Sequence, residues 1–171
     1  FQYSTNGEDW SEVVYGDAIP FVNNNIYLRG ISSIGTAINS SNYFKISFEG
    51  ADEVKCSGDI RTLTYTDNNY NTFSPSAGVR YANLFQGCTS LTQAPELPAI
   101  ELAEKMCYYG MFWGTSLTKA PALPATQLAE SCYSSMFINC TSLTQAPALP
   151  ATTLAKKCYS SMFSMCSSLT Q

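Results

Sequence analysis

The sequence predicts an α/β solenoid, with a short strand and a short helix in each coil, preceded by a small antiparallel β-sandwich-like domain. Residues 79–171 repeat with a period of 26, and prolines recur at fixed places in each period. The first part of the chain instead has short alternating apolar runs between turn residues. A strict period of this length is typical of stacked arrays. We therefore place a β-domain, which would cap the array, at residues 1–75 and about three and a half repeats at residues 76–171.

The period predicts ladders of like side chains. The hexapeptide Cys-Tyr-Ser-Ser-Met-Phe begins at Cys132 and again at Cys158. Stacked coils place equivalent residues roughly 5 Å apart, so each apolar side chain packs on its counterpart in the next coil. Covering each large rung stabilises the array by roughly 1.5–3 kcal/mol. The predicted rungs are Cys132 with Cys158, Cys140 with Cys166, Phe112 with Phe137 and Phe163, and the leucines Leu91, Leu117, Leu143 and Leu169.

Prolines set the order of elements within a repeat. Pro147 and Pro150 forbid a helix and push the residues before them to extended geometry, which predicts a strand at residues 143–147. Threonines at 152 and 153 suit the N-cap of a helix. Apolar residues then follow at a spacing of four, which predicts a helix of about two turns. Its apolar stripe is Leu154, Cys158 and Met162.

The first part of the chain predicts several short strands. Asn6-Gly7 lies between short apolar-alternating runs and indicates a hairpin. Residues 44–48 alternate between apolar and polar side chains, and further strands are predicted at residues 26–29 and 54–56. Several strands at this spacing favour a small antiparallel sandwich. Its predicted role is to cap the apolar end of the array.

Composition argues against polyanionic partners and membrane spans. The 171 residues have a net charge of −4 and no histidine. Residues 1–78 have four basic and nine acidic side chains, whereas residues 79–171 have five basic and four acidic ones. Neither part has the clustered cations that nucleic acids or anionic membranes require. No run of 18 apolar residues exists. The chain starts without a leader, so we expect a mature segment with any signal peptide or lipid anchor outside it.

The cysteines predict packing rather than chemistry. A nucleophilic thiol needs a base, normally histidine, and a structural zinc site needs tighter cysteine spacing than this chain offers. We therefore expect no catalytic residue, no metal and no cofactor. Buried free thiols are favoured for the ladder, while a disulfide at Cys132–Cys158 or Cys140–Cys166 remains an alternative because the stacking distance suits one.

Two other groups of side chains are candidates for sugar chemistry. Acidic residues cluster in one repeat, but alanine replaces the first of them in the next two repeats, which indicates a solvated surface. These residues are Glu96, Glu101 and Glu104. Aromatic residues of the β-domain suit either a sugar platform or ordinary packing, and packing is preferred. They are Trp10, Tyr15 and Tyr27.

Two adjacent stretches, LPATQLAESCYSSMFINCTSLTQAP from residue 123 and LPATTLAKKCYSSMFSMCSSLTQ from residue 149, resemble the BspA-like bacterial leucine-rich repeat. The segment from Tyr3 to Trp10 is similar to the amino-terminal region that precedes such repeats in surface proteins of gut-type anaerobic bacteria. The unit of 26 residues is longer than the family's commoner one, and one repeat lacks a cysteine. The resemblance implies an exported, surface-attached protein, often an adhesin for host or neighbouring-cell proteins.

We therefore expect a non-enzymatic, cell-surface interaction protein that binds an extracellular protein or glycoprotein. The alternative is a glycan-binding accessory protein that uses the aromatic residues of the β-domain. An extended polar face of the repeats suits many weak contacts with a long partner. The candidate contact residues on it are Thr92, Gln93, Thr118, Lys119, Thr144 and Gln145. The sequence stops where another repeat would begin, so we also expect either further repeats or end-to-end self-association at the last one.

Overall fold

The computed structural model describes residues 2–14, 16, 18–19, 25–30, 36–39, 42–63 and 81–171. Within these residues the chain forms nine short strands, one 3-10 turn at Ile60–Leu63 and no α-helix. Residues 81–171 are mostly consecutive turns that stack in parallel layers, and residues 44–63 lie against the first layer.

A three-stranded antiparallel sheet forms the amino-terminal part. In spatial order its strands are β2 (Ser11–Glu12), β1 (Gln2–Ser4) and β3 (Tyr27–Arg29). Asn6 Oδ1 accepts hydrogen bonds from the N–H groups of Glu8 and Asp9, both at 2.9 Å, and Gly7 has a φ of +84°. These contacts close the turn between β1 and β2. The hairpin predicted at Asn6-Gly7 is therefore confirmed.

The segment 44–63 forms an additional layer on the first repeat. Before it, β4 (Ala37–Asn39) pairs with β5 (Asn42–Tyr43), and within it β6 (Val54–Lys55) pairs in parallel with β7 (Leu91–Gln93) of the repeat. Further hydrogen bonds run from the N–H groups of Ile46, Cys56 and Ile60 to the carbonyl oxygens of Leu84, Gln93 and Glu96, at 2.7, 3.0 and 3.0 Å. The segment buries Ile60 and Leu63 against the core of the repeats.

The repeats form four stacked layers, which we define as layer 1 (residues 81–93), layer 2 (106–119), layer 3 (131–145) and layer 4 (157–171). Alternate N–H groups have different partners. In layer 3, Ser134, Met136 and Cys140 donate to the carbonyl oxygen three residues earlier and so close four-residue turns. Five N–H groups instead donate to carbonyl oxygens of residues 156–164, in layer 4 or directly before it, at 2.9–3.0 Å, and these belong to Ser131, Tyr133, Ser135, Phe137 and Asn139. Layers are thus joined by backbone hydrogen bonds as well as by packing.

Every fourth residue of a layer has a positive φ. In layer 3 the values are +57° at Ser131, +61° at Ser135 and +58° at Asn139. An α-helix needs negative φ at each residue, so a left-handed residue at every fourth position excludes one. It also turns alternate N–H groups outward, toward the neighbouring layer.

The core consists of side-chain ladders that cross all four layers. Tyr81, Tyr108, Tyr133 and Tyr159 stack with ring centroids 5.5–5.8 Å apart. A second ladder of phenylalanines has centroids 5.6–5.7 Å apart and consists of Phe85, Phe112, Phe137 and Phe163. The predicted rungs Leu91, Leu117, Leu143, Cys132, Cys140 and Cys158 are buried, while Leu169 and Cys166 of layer 4 are half-buried.

The prediction of an α/β solenoid of leucine-rich-repeat type, with one helix per coil, was wrong. The described residues contain no α-helix, and the positions of the predicted helix are turns. A spacing of four fits a run of four-residue turns as well as it fits a helix. The apolar stripe at Leu154, Cys158 and Met162 therefore did not distinguish the two. Near the predicted helix start, Gln127–Leu128 (β9) instead pairs in parallel with Glu101–Leu102 (β8).

The predicted β-sandwich was also wrong. Among the described elements, the three-stranded sheet and the two-stranded β4–β5 sheet do not contact each other, and β3 contacts the 3-10 turn instead. Residues 44–48 alternate in burial as predicted, yet they belong to no described strand; Ile46 donates its N–H to the carbonyl oxygen of Leu84 in layer 1. The predicted strand of the repeat is present as β7 in layer 1, and its equivalents in the later layers lie outside the described strands.

Tyr108→Phe is expected to stabilise the protein by about 1 kcal/mol. Tyr108 is fully buried, and its hydroxyl has no hydrogen-bond partner among the residues that the structure describes. Removing that hydroxyl removes the cost of burying it. Tyr43→Phe is the matched control, since the Tyr43 hydroxyl donates to Gln86 Oε1 at 2.7 Å and its loss should destabilise. The free energy of unfolding in urea measures both, and equal signs for the two variants would contradict the prediction.

Candidate interaction surface

The predicted contact threonines form a column on one face of the stack. Thr144 donates its N–H to the carbonyl oxygen of Thr118 at 3.4 Å, and Thr170 donates to that of Thr144 at 3.1 Å. The hydroxyls of Thr144 and Thr170 donate to the same two carbonyl oxygens at 3.3 Å. These doubled contacts fix the χ1 angle of each threonine. The column therefore has a regular surface from layer 2 to layer 4.

A second column of long polar side chains lies beside the threonines. Gln145 Nε2 donates to Gln171 Oε1 at 3.4 Å, and Gln93 Nε2 donates to the carbonyl oxygen of Cys56 at 3.0 Å. Lys119 occupies the equivalent place in layer 2 and is exposed. We call both columns together the polar face. Its members are Thr92, Gln93, Thr118, Lys119, Thr144, Gln145, Thr170 and Gln171, all exposed except the half-buried Thr92.

The structure brings all six sequence-predicted contact residues onto this face and adds three that the sequence analysis missed. Thr170 and Gln171 continue the columns in layer 4, and the recurring Ser-Leu-Thr-Gln motif was the signal for them. Glu53 lies at the other end, where it accepts a hydrogen bond from the Thr92 hydroxyl at 3.0 Å. That bond and the neighbouring Lys55 ammonium, at 3.2 Å, hold the pKa of Glu53 below its usual value.

All seven cysteines are free thiols. Cys140 donates to the carbonyl oxygen of Phe112, and Cys166 donates to that of Phe137, each at 3.0 Å. These contacts link adjacent layers without a covalent bond. In layer 2, where the repeat lacks this cysteine, Thr115 is buried in its place and donates to the Phe112 carbonyl oxygen at 2.9 Å. The Thr115 hydroxyl thus bonds within layer 2, whereas the thiols of Cys140 and Cys166 bond to the preceding layer.

Protein stability is expected to fall as the pH rises from 9 toward 12. Burial, with a smaller contribution from Cys158, raises the pKa of Cys132 from 9.0 to about 12. The unfolded thiol loses its proton at the lower pH, so the stabilisation is complete below pH 9 and is lost toward pH 12. Burial also raises the pKa of Tyr108 and Tyr133, so these side chains lower stability at high pH in the same way. Unfolding of Cys132→Ala across this range should show a shallower pH dependence than wild type, and an unchanged dependence would contradict the assignment.

A groove of about 1440 Å³ lies between the amino-terminal sheet and the segment 44–63. Trp10, Tyr27 and Arg29 line one side of it. The Arg29 guanidinium carbon lies 4.0 Å from the centroid of the Trp10 ring, which is cation–π geometry, and its Nε donates to Gln2 Oε1 at 2.8 Å. Tyr27 is 47% exposed. Tyr15, the third predicted aromatic residue, lies outside the described residues.

The predicted carboxylate cluster is not uniformly solvated. Glu96 and Glu101 are exposed, but Glu104 is only 4% exposed. The expectation of a solvated surface therefore does not hold for Glu104. Within the described part of the chain, no group of three or more cysteine or acidic side chains has a metal-binding arrangement.

No protein-family model, curated protein or solved structure matches this chain. The described segments include no helix with the length and hydrophobicity needed to cross a lipid bilayer.

Proposed function

We propose that this protein is a non-enzymatic, adhesin-like interaction protein that binds an extended extracellular protein or glycoprotein. Export to the cell surface is part of the proposal, and antibody labelling of intact producing cells tests it. The polar face is the observation that supports the proposal. Its exposed threonines and amides repeat from layer to layer in hydrogen-bonded columns.

A regular column of donors and acceptors suits a long partner. Each exposed contact is weak because it competes with water. Several identical contacts on one rigid scaffold act together, since the first one raises the effective concentration of the rest. Threonines held to the backbone, as Thr144 and Thr170 are, also lose little entropy when a partner binds.

The test removes the protruding side chains of the polar face and keeps the fold. Lys119→Glu combined with Gln93→Ala and Gln145→Ala should weaken binding to immobilised fibronectin and fibrillar collagen by roughly tenfold or more. The matched control is Lys157→Glu, which has the same charge reversal at an exposed residue away from the polar face. Surface plasmon resonance measures both variants. If the triple variant binds these probes as tightly as the control does, the polar face is not the binding site.

A glycan-binding function of the groove is the second candidate. The observation that favours it is the exposed Tyr27 beside the Trp10–Arg29 pair, because aromatic faces and guanidinium groups are common in sugar sites. Arg29 already covers one face of the Trp10 ring, which leaves less indole surface for a sugar. A glycan array of the full chain and of Tyr27→Ala separates the two functions. Saccharide binding that Tyr27→Ala abolishes supports the groove, and an array without binding supports the polar face.

A further inference from the structure

A strand edge with unpaired backbone groups forms one wall of the groove. The N–H groups of Val54 and Cys56 donate to carbonyl oxygens of layer 1, at 2.7 and 3.0 Å. Lys55 lies between these two donors, and the backbone groups of consecutive residues in a strand point to opposite edges. Its N–H and C=O groups therefore face away from layer 1, and neither has a hydrogen-bond partner among the described residues. Lys55, which lines the groove, thus offers it one donor and one acceptor.

The opposite wall of the groove is β3, which is the last strand of its sheet. The strand order is β2–β1–β3, so one edge of β3 has no strand beside it in the part of the chain that the structure describes. All three residues of β3 line the groove. The Gly30 N–H donates to the carbonyl oxygen of Thr62 at 2.9 Å, which joins the end of β3 to the 3-10 turn. The groove therefore lies between two strand edges and is closed at one end by a backbone hydrogen bond.

The charge of the groove selects a basic occupant. Its acidic lining residues are Glu49, Asp52, Glu53 and Asp59, and its basic ones are Arg29 and Lys55. Glu53 and Asp59 form ion pairs with neighbouring residues of the same segment, at 3.2 and 2.6 Å. Glu49 and Asp52 are exposed, and within the described ranges neither forms an ion pair. Two unpaired carboxylates in a cleft concentrate negative potential there, which attracts a cationic side chain.

Tyr27 supplies an aromatic surface for the same cation. One face of its ring lies against the turn at Gly7, where a Cβ atom would be 3.7 Å from Tyr27 Cζ and 3.8 Å from both Cε atoms. Tyr27 is nevertheless 47% exposed, so the other face of the ring is open. A guanidinium packs well over an aromatic face, as that of Arg29 already does 4.0 Å from the Trp10 centroid. An incoming arginine can make the same contact with Tyr27.

We propose that the groove binds an extended, arginine-containing polypeptide segment of another protein, which adds as a strand beside Lys55. The backbone of the segment exchanges hydrogen bonds with the N–H and C=O groups of Lys55. Side chains of a strand alternate between two faces, so arginines at every second position face Glu49 and Asp52. Apolar residues between them face Ile46 and Val54, which also line the groove. The proposal does not depend on binding at the polar face.

The groove suits a polypeptide better than a saccharide or a small molecule. Its volume of about 1440 Å³ exceeds the roughly 300–1,000 Å³ that is usual for small-molecule sites. Arg29 covers one face of the Trp10 ring, which removes stacking surface that a sugar would use. A saccharide also lacks the regularly spaced N–H and C=O groups that pair with a strand edge. The two walls and the charge therefore favour a basic strand.

The first experiment uses the full chain and a fluorescein-labelled peptide of sequence Val-Arg-Val-Arg-Val-Arg. Fluorescence anisotropy should show binding that is tighter by roughly tenfold or more than that of the matched peptide with glutamate in place of arginine, because the carboxylates of the groove repel the latter. N-methylation of the three valines, or separately of the three arginines, removes alternate backbone donors. At least one of these two peptides should bind roughly tenfold more weakly than the unmodified one, since strand addition uses backbone hydrogen bonds.

The second experiment changes the groove. Glu49→Gln combined with Asp52→Asn should weaken binding of the arginine peptide by roughly tenfold or more. Glu8→Gln combined with Glu101→Gln is the matched control, because it removes two exposed carboxylates that do not line the groove. Lys55→Ala keeps the backbone N–H of Lys55, whereas Lys55→Pro removes it. The proline variant should bind roughly tenfold more weakly than the alanine variant, and an unpaired strand edge tolerates proline.

The outcomes separate strand addition from simple charge attraction. Weaker binding after N-methylation, together with weaker binding by the Glu49 and Asp52 double variant, supports the proposal. If circular dichroism shows that Lys55→Pro unfolds, the N-methylated peptides decide the role of the backbone. The proposal is overturned if the arginine peptide does not bind at about 1 mM, if methylation has no effect, or if the double variant binds as tightly as its control.

Discussion

Phe137→Ala is expected to lower the free energy of unfolding by about 3–5 kcal/mol. Phe137 is fully buried, and its ring stacks between Phe112 and Phe163, with centroids 5.7 and 5.6 Å away. Alanine would leave a cavity in the middle of the ladder, and the rigid layers on both sides cannot collapse into it. Guanidinium denaturation followed by circular dichroism measures the loss.

Phe163→Ala is the matched control for this prediction. Phe163 belongs to the same ladder but is half-buried and stacks on one ring. Its truncation leaves an opening to solvent rather than a closed cavity, so the loss should be roughly half as large. Equal losses for the two variants would show that stacking between layers does not determine stability.

Gly110→Ala is expected to destabilise the protein by about 2–4 kcal/mol. Gly110 has a φ of +57°, a conformation that disfavours a side chain. A Cβ atom there would also overlap with Asn83 Oδ1 of layer 1. The overlap is the larger effect, because the equivalent Ser135 and Ser161 have similar φ angles and are tolerated.

Two further variants separate conformation from overlap. Gly114 has a φ of +69°, and the Cβ atom of Gly114→Ala would lie 3.8 Å from its nearest neighbour, Gly87 Cα. This variant should therefore lower the free energy of unfolding by only about 1 kcal/mol. Asn83→Gly combined with Gly110→Ala removes the overlapping amide and should recover much of the loss. Thermal unfolding measures all of them. A double variant no more stable than Gly110→Ala would contradict the steric explanation.

The sequence period predicted the contents of the core but not the backbone conformation. Like residues do stack, as the Phe112, Phe137 and Phe163 rungs illustrate, because a repeat of fixed length brings equivalent positions together in any parallel stack. The choice between helix and turns depends on φ at every fourth residue. Those positions hold serine, asparagine, lysine and methionine as well as glycine, so composition gave little sign of a left-handed conformation.

For the polar face, likewise, the sequence predicted which residues lie together but not the contacts that hold them. The polar residues after each Ser-Leu motif recur in phase, and this placed Thr118 and Gln145 on one face. The sequence could not show that the threonine hydroxyls donate to the previous layer, or that Glu53 joins the face, because Glu53 and Thr92 are 39 positions apart. The groove beside Trp10 likewise depends on contacts between distant segments.

The interlayer hydrogen bonds also determine how the molecule responds to force. Five backbone bonds join residues 131–139 of layer 3 to the carbonyl oxygens of residues 156–164. A pull in the plane of the layers shears these five bonds together, so the interface should rupture as one unit at a high force. A pull on the carboxyl end along the stacking direction peels the same bonds one after another at a lower force. The stack is therefore a mechanically anisotropic element whose resistance depends on where a bound partner pulls it.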